Sequence, residues 1–81
     1  MKRTQQIARE ILEALDGWDD PAAEAVIFAQ VTARMPGGVM VSEWDNGLGL
    51  CEQQRWVTGV RDPLHGKLYT LTNKGRAQRH A

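Results

Sequence analysis

A single cysteine, two histidines, one phenylalanine and one tyrosine in 81 residues leave little material for cofactor or metal chemistry. Cys51 has no second cysteine for an intramolecular disulfide or a structural zinc cluster, so a buried, inert thiol is expected. Metal binding by His65 with Asp62 and Cys51 is not expected, and neither is a cofactor. No Gly-rich phosphate loop precedes a helix, and no nucleophile, base and orienting acid fall at a recognisable spacing, so no catalytic residue is assigned. No stretch approaches the roughly 20 apolar residues that span a bilayer. The start Met1-Lys2-Arg3 leads into a polar helix and not into a signal-peptide apolar core, which makes the cytoplasm the expected compartment. Internal repeats and low-complexity runs are missing as well.

What is present suits one small domain spanning residues 1–81, with 42% hydrophobic and 25% charged residues. Net charge is zero, but the two signs are segregated along the chain. Up to Gln54 there are four basic residues against nine acidic ones; from Arg55 onward six basic residues face only Asp62. A polyanionic partner, if there is one, therefore meets the C-terminal third.

Ile7, Ala8, Ile11, Leu12 and Leu15 recur at helical spacing and predict an amphipathic helix over Arg3 to Asp16, ended by Gly17. Asp20-Pro21 predicts the start of a second helix, through an N-cap acceptor and a residue whose fixed φ suits the first helical position. Ala25, Ile27, Phe28, Val31, Thr32 and Met35 make that helix strongly apolar, as if it were the centre of the core. Met35-Pro36-Gly37-Gly38 stops it. Val39, Met40 and Val41 read as a short β-like run. Ser42-Glu43-Trp44-Asp45 then reads as a capping box opening a third helix, with Trp44, Leu48 and Cys51 on one face. Gly47 and Gly49 each cost about 1 kcal/mol in a helix interior, so this helix is expected to be irregular near its middle.

Trp56 to Val60 and Lys67 to Thr72 are rich in β-branched and aromatic residues, and Arg61 to Gly66 has turn chemistry, which predicts a hairpin with a six-residue tip. Tyr69 and Leu71 are expected to face the helices. Thr72 is placed to cap a short last helix from Asn73 to Arg79 that frays at His80 and Ala81.

Three helices, a two-stranded hairpin and a short closing helix form an α+β, mainly α arrangement in the order of a winged helix-turn-helix domain. The stretch Leu48-x-x-Cys51-Glu52 leading to Arg55-Trp56-Val57 resembles the end of a recognition helix entering the first wing strand. Members of that superfamily often read Leu-x-x-Leu-Glu there, followed by Gly, an aromatic and a β-branched residue. Tyr69-x-Leu71-Thr72-x-x-Gly75-Arg76 resembles the second wing strand and closing helix of bacterial regulators of the multiple-antibiotic-resistance and phenolic-acid-response types. Two departures are visible. The gap from Met35 to Val41 exceeds the usual tight turn, and the third helix begins acidic.

The resemblance implies a small double-stranded-DNA-binding protein, a transcriptional regulator or accessory factor, with Ser42 to Arg55 as recognition helix and Arg61 to Lys67 as wing. Ser42, Asn46, Gln53, Gln54 and Arg55 would then meet base edges or phosphates, and Arg61, His65 and Lys67 phosphates. Lys74, Arg76 and Arg79 extend the basic region. Glu43 and Asp45 oppose phosphate approach unless they serve the helix dipole. The other reading is a winged-helix protein-interaction module that binds no nucleic acid, since the fold serves both roles. Trp18 and Trp44, beside helix starts, are expected to pack on the core; an exposed Trp18 would instead suggest a homodimer seam with the first helix.

Overall fold

The helical-period residues Ile7, Ala8, Ile11, Leu12 and Leu15 are all buried, and with them Ala14, in a first helix, α1 (Arg3–Asp16), that has the expected bounds. In the computed structural model, which describes residues 2–18 and 20–79, this helix is the centre of the domain: the helices α2 (Glu24–Arg34), α3 (Val41–Gln53) and α4 (Asn73–Arg79) and the strand β3 (Gly66–Leu71) all pack against it. The expectation that the second helix would be central is therefore corrected. Within α2 (Glu24–Arg34) only Ile27 and Val31 are buried, while Val26 is 40% exposed.

The helix also starts later than Asp20-Pro21 suggests. Ala22–Ala23 form a short strand, β1, and Ala23 is the N-cap of α2 with extended backbone. The fixed φ of Pro21 that suits a helix start suits extended chain equally well, and β3 offers an open edge. Ala22 pairs with Tyr69 and Ala23 with Leu68, so the sheet has three antiparallel strands in the order β1-β3-β2, not two.

The third helix, α3, runs without interruption from Val41 to Gln53. It begins one residue before Ser42, because Met40 is the N-cap and Glu43 Oε1 accepts the Met40 N–H at 2.9 Å. The capping logic holds with its register shifted, and Val39 to Val41 form no strand. Gly47 does not break the helix. A Cβ there would lie 2.5 Å from Ile7 Cγ2, so the glycine lets α3 approach α1 closely, and the packing gained offsets its propensity cost. Trp44, Leu48 and Cys51 are buried as expected, and Trp44 stacks on Phe28 with centroids 5.0 Å apart.

At its C-terminus α3 closes with a Schellman motif: the Trp56 N–H reaches the Cys51 carbonyl at 2.9 Å, and the Arg55 N–H reaches that of Glu52 at 3.0 Å. The motif needs a left-handed residue, and Arg55 fills that place at φ 61°. The winged-helix pattern has Gly here. Replacement of Arg55 by Gly should relieve the strain and stabilise the fold by about 1 kcal/mol, raising Tm by roughly 4–8 °C in a thermal melt.

Strands β2 (Val57–Asp62) and β3 (Gly66–Leu71) pair from Val57↔Leu71 to Asp62↔Gly66. The hairpin tip is thus three residues, Pro63, Leu64 and His65, not six. Asp62 explains the shortening. Its Oδ1 accepts the Leu64 N–H at 2.7 Å and the His65 N–H at 3.2 Å, and Gly66 takes the φ of 76° needed to leave the turn. Tyr69 and Leu71 face the core, at 2% and 9% exposure. The last helix, α4 (Asn73–Arg79), is capped as expected, with the Gly75 N–H donating to Thr72 Oγ1 at 3.0 Å. The expected fraying at His80 and Ala81 lies outside the described residues. Among the described residues no helix is long and apolar enough to cross a membrane.

Candidate nucleic-acid interface

The outward face of α3 follows from its inward one. With Trp44, Leu48 and Cys51 committed to the core, Ser42, Asn46, Gly49 and Gln53 fall at i, i+4, i+7 and i+11 and form one exposed line. Every residue in it is uncharged. Asp45 and Glu52 border this line, and α3 contains neither Lys nor Arg. Ser42, Asn46 and Gln53 are thus brought together as expected. Gln54 is not: it is the C-cap and lines a groove of about 440 Å³ with Gln5, Arg9, Leu50, Trp56 and Gln78, between α1, α3 and α4.

The hairpin stands beside α3 through β2. Arg61 and Lys67 are cross-strand partners on the side of the hairpin that carries Gly59 and Tyr69, and the Lys67 Nζ lies 5.4 Å over the Tyr69 ring. The same ammonium pairs with Glu52 Oε2 at 3.4 Å, bridging hairpin and helix. Gly59 makes room for this, because a Cβ there would lie 2.8 Å from Lys67 Cε. The Tyr69 side chain, and then Glu52, hold the Lys67 ammonium above its ordinary pKa, so it is cationic at neutral pH. At the tip, His65 Nδ1 sits 3.5 Å from Asp62 Oδ1. The Asp62 carboxyl is held below its ordinary pKa, first by the Leu64 N–H.

The basic C-terminal third is less free than its sequence suggests. Arg76 pairs with Asp16 at 3.5 Å, and Arg79 with Glu13 at 3.1 Å and Asp16 at 3.4 Å, so α4 is zipped to the acidic side of α1. The segregation of charge along the chain is in large part a set of intramolecular contacts. Among the described residues of this third Arg55, Arg61 and Lys74 form no ion pair, while Lys67 answers Glu52; Arg9, on α1 and likewise without an ion pair, lines the groove beside Leu50 of α3.

Glu43 also changes its reading. Its carboxylate accepts the Met40 N–H and pairs with Arg3 Nε at 2.9 Å, which together hold it below its ordinary pKa. It is a structural cap whose charge is answered, and not a free acid facing a phosphate.

Cys51 lies in the core, its thiol donating to the Ala8 carbonyl at 3.6 Å, and burial pushes its pKa up to about 12. Among the described residues no group of His, Cys, Asp or Glu could hold a metal ion. Trp18, expected in the core, is 40% exposed and lies against α2, its Nε1 donating to Gln30 Oε1 at 3.4 Å.

Sequence reasoning missed three features of this surface. Gly49 was read only as a helix weakener, Met40 and Val41 as a β-like run, and Glu52 was not recognised as the partner of Lys67. The i, i+4, i+7, i+11 line was the available signal for Gly49. No family model matches the chain, and no match to it was found among curated proteins or solved structures.

Proposed function

We propose that this chain is a cytoplasmic winged-helix domain that binds duplex DNA, a transcriptional regulator or accessory factor, with α3 as recognition helix and the hairpin as wing. The observation that carries the reading is the exposed, uncharged line Ser42, Asn46, Gly49 and Gln53 along a helix that Lys67 of the hairpin reaches at Glu52, with Arg61 as its cross-strand partner. A helix bearing amides and a hydroxyl can enter the major groove and hydrogen-bond base edges, while wing cations meet phosphate. The strand order β1-β3-β2, with β1 between the first two helices, supports the same reading, because it ties the wing to the core through a third strand. No catalytic role is assigned.

A second reading, self-association without nucleic acid, rests on another face. Between Glu24 and Arg34, α2 has no charged residue, and Val26 and Trp18 are each 40% exposed there. Since α1 is covered by its neighbours, a homodimer seam would run along α2 and Trp18, and not along α1 as the sequence suggested.

Fluorescence anisotropy with a labelled 20-base-pair duplex at low salt tests the first reading. With roughly two or three phosphates neutralised, log K should fall against log salt with a slope of about −2 to −3. Arg61→Ala should reduce that slope by about 1. No duplex binding, combined with twice the chain mass in equilibrium sedimentation, would replace this reading with self-association.

A further inference from the structure

We infer that the α3 surface selects A·T base pairs through the major groove, with Asn46 and Gln53 reading adenine and Met40 and Val41 reading the thymine methyl group. The inference rests on the proposed DNA-binding function and names the target that function would choose.

The first step is an exclusion. Guanine is read most often by bidentate Arg or Lys on its O6 and N7; α3 has neither residue in its thirteen positions, and Arg55, beyond its C-cap, stands at the end away from the one that reaches base edges. The groups it does present in line are amides. An Asn or Gln side chain matches the N6 donor and N7 acceptor of adenine with two hydrogen bonds, and Asn46 and Gln53 stand seven residues apart on one face, two turns of the helix.

The second step concerns apolar groups that the core does not use. Met40 is 69% exposed and Val41 67%, at the N-terminal end of α3, the end that reaches base edges when such a helix enters the groove. Apolar side chains there have one partner in the major groove, the C5-methyl of thymine. Stability of the isolated domain gains little from leaving these two side chains in water.

The third step is Gly49. Gly47 is explained by Ile7, but a Cβ at Gly49 would meet nothing within 4 Å. Intramolecular packing therefore gives no reason for glycine at a helix position where alanine is more stable. Its place between Asn46 and Gln53 keeps the line flat, so both amides can approach the base edges together. Asp45 and Glu52 border the line, and a carboxylate there can accept only from an exocyclic amino group, adenine N6 or cytosine N4, and finds no donor on guanine or thymine. Val41 begins that neighbouring line, with Asp45 and Glu52 at i+4 and i+11 behind it, so its methyl groups lead at the N-terminal end and the acids follow.

The test uses base analogues that alter the major groove alone. Duplexes recovered by selection from a random pool should be rich in A·T pairs and bind at least tenfold tighter than a G·C duplex of equal length. Replacing thymine by uracil, which removes only the methyl, should weaken wild-type binding about threefold to tenfold, and the Met40→Ala, Val41→Ala double variant should bind both duplexes equally. Replacing adenine by 7-deazaadenine should weaken the wild type about tenfold and leave Asn46→Ala, Gln53→Ala unaffected. Gly49→Ala should raise Tm by roughly 4–8 °C yet bind more weakly, a split that a loss of folding cannot produce. Duplex binding that ignores both analogues, or that prefers G·C, would overturn the inference and leave DNA binding standing. Absence of binding to every duplex would remove the proposed function itself.

Discussion

Gly75→Ala should cost about 3 kcal/mol of folding stability and lower Tm by roughly 12–24 °C in a circular-dichroism melt. A Cβ at this position would lie 2.1 Å from the Trp56 carbonyl oxygen, 2.9 Å from its carbon and 2.8 Å from Leu71 Cδ1. The carbonyl cannot retreat cheaply, because the Thr72 N–H donates to it at 2.9 Å and the Thr72 hydroxyl lies at the same distance. The strand entry and the start of α4 are locked together at one point, and the added methyl must break that lock. In a domain whose total stability is about 4–12 kcal/mol, the loss is large. A shift below about 1 kcal/mol would mean that α4 yields with little consequence, and that the Thr72 cap does not hold it to β2.

That glycine also shows what was legible in the sequence. The pattern Tyr69-x-Leu71-Thr72-x-x-Gly75-Arg76 is visible in the sequence alone, and it locates the second hairpin strand, the cap and the closing helix. The reason for Gly75 was not visible, because the atom it avoids belongs to Trp56, nineteen residues earlier. The same division runs through the domain. Helical periodicity marked α1 to the residue, since its buried stripe is set by local spacing. Strand β1 was missed because two alanines have no β preference, and only the open edge of β3 makes them a strand. Gly47 was misjudged because its compensation is a contact with Ile7 on another helix.

For the candidate site, the residue types were legible and their electrostatic state was not. Ser42, Asn46 and Gln53 follow from helical spacing once the buried face of α3 is known. Lys67, Arg76 and Arg79 read as a basic cluster only while their partners Glu52, Asp16 and Glu13 remain distant in sequence. Ion pairs between segments that far apart cannot be counted from a linear charge profile. They reduce the positive surface that the profile suggests, and under the proposed function they move the acid that would oppose phosphate from Glu43 to a different residue.

That residue is Glu52, and Glu52→Gln should tighten duplex binding about tenfold at roughly 50 mM salt while steepening the salt slope by about 1. Two effects act in one direction. The substitution removes a carboxylate from the border of the α3 line, and it releases the Lys67 ammonium that now sits 3.4 Å from Glu52 Oε2. The released cation remains beside Arg61, its cross-strand partner, so the hairpin gains a second free charge for phosphate. The fold should be unaffected, with Tm within about 2 °C of the wild type, because both side chains are about 40% exposed and such pairs contribute little. Glu43→Gln makes the contrasting variant. Its carboxylate already answers Arg3 and accepts the Met40 N–H, so its loss removes a cap from α3 and releases Arg3 at the start of α1. Titrations of both variants against the same duplex, beside wild type and Arg61→Ala, separate the two acids. Unchanged affinity and slope for Glu52→Gln, with Arg61→Ala still weakening binding, would put Lys67 outside the DNA footprint. Weaker binding for Glu52→Gln would mean that the carboxylate itself accepts a hydrogen bond from a base amino group, cytosine N4 or adenine N6, and the acid would then be a reader of bases and not a brake on affinity.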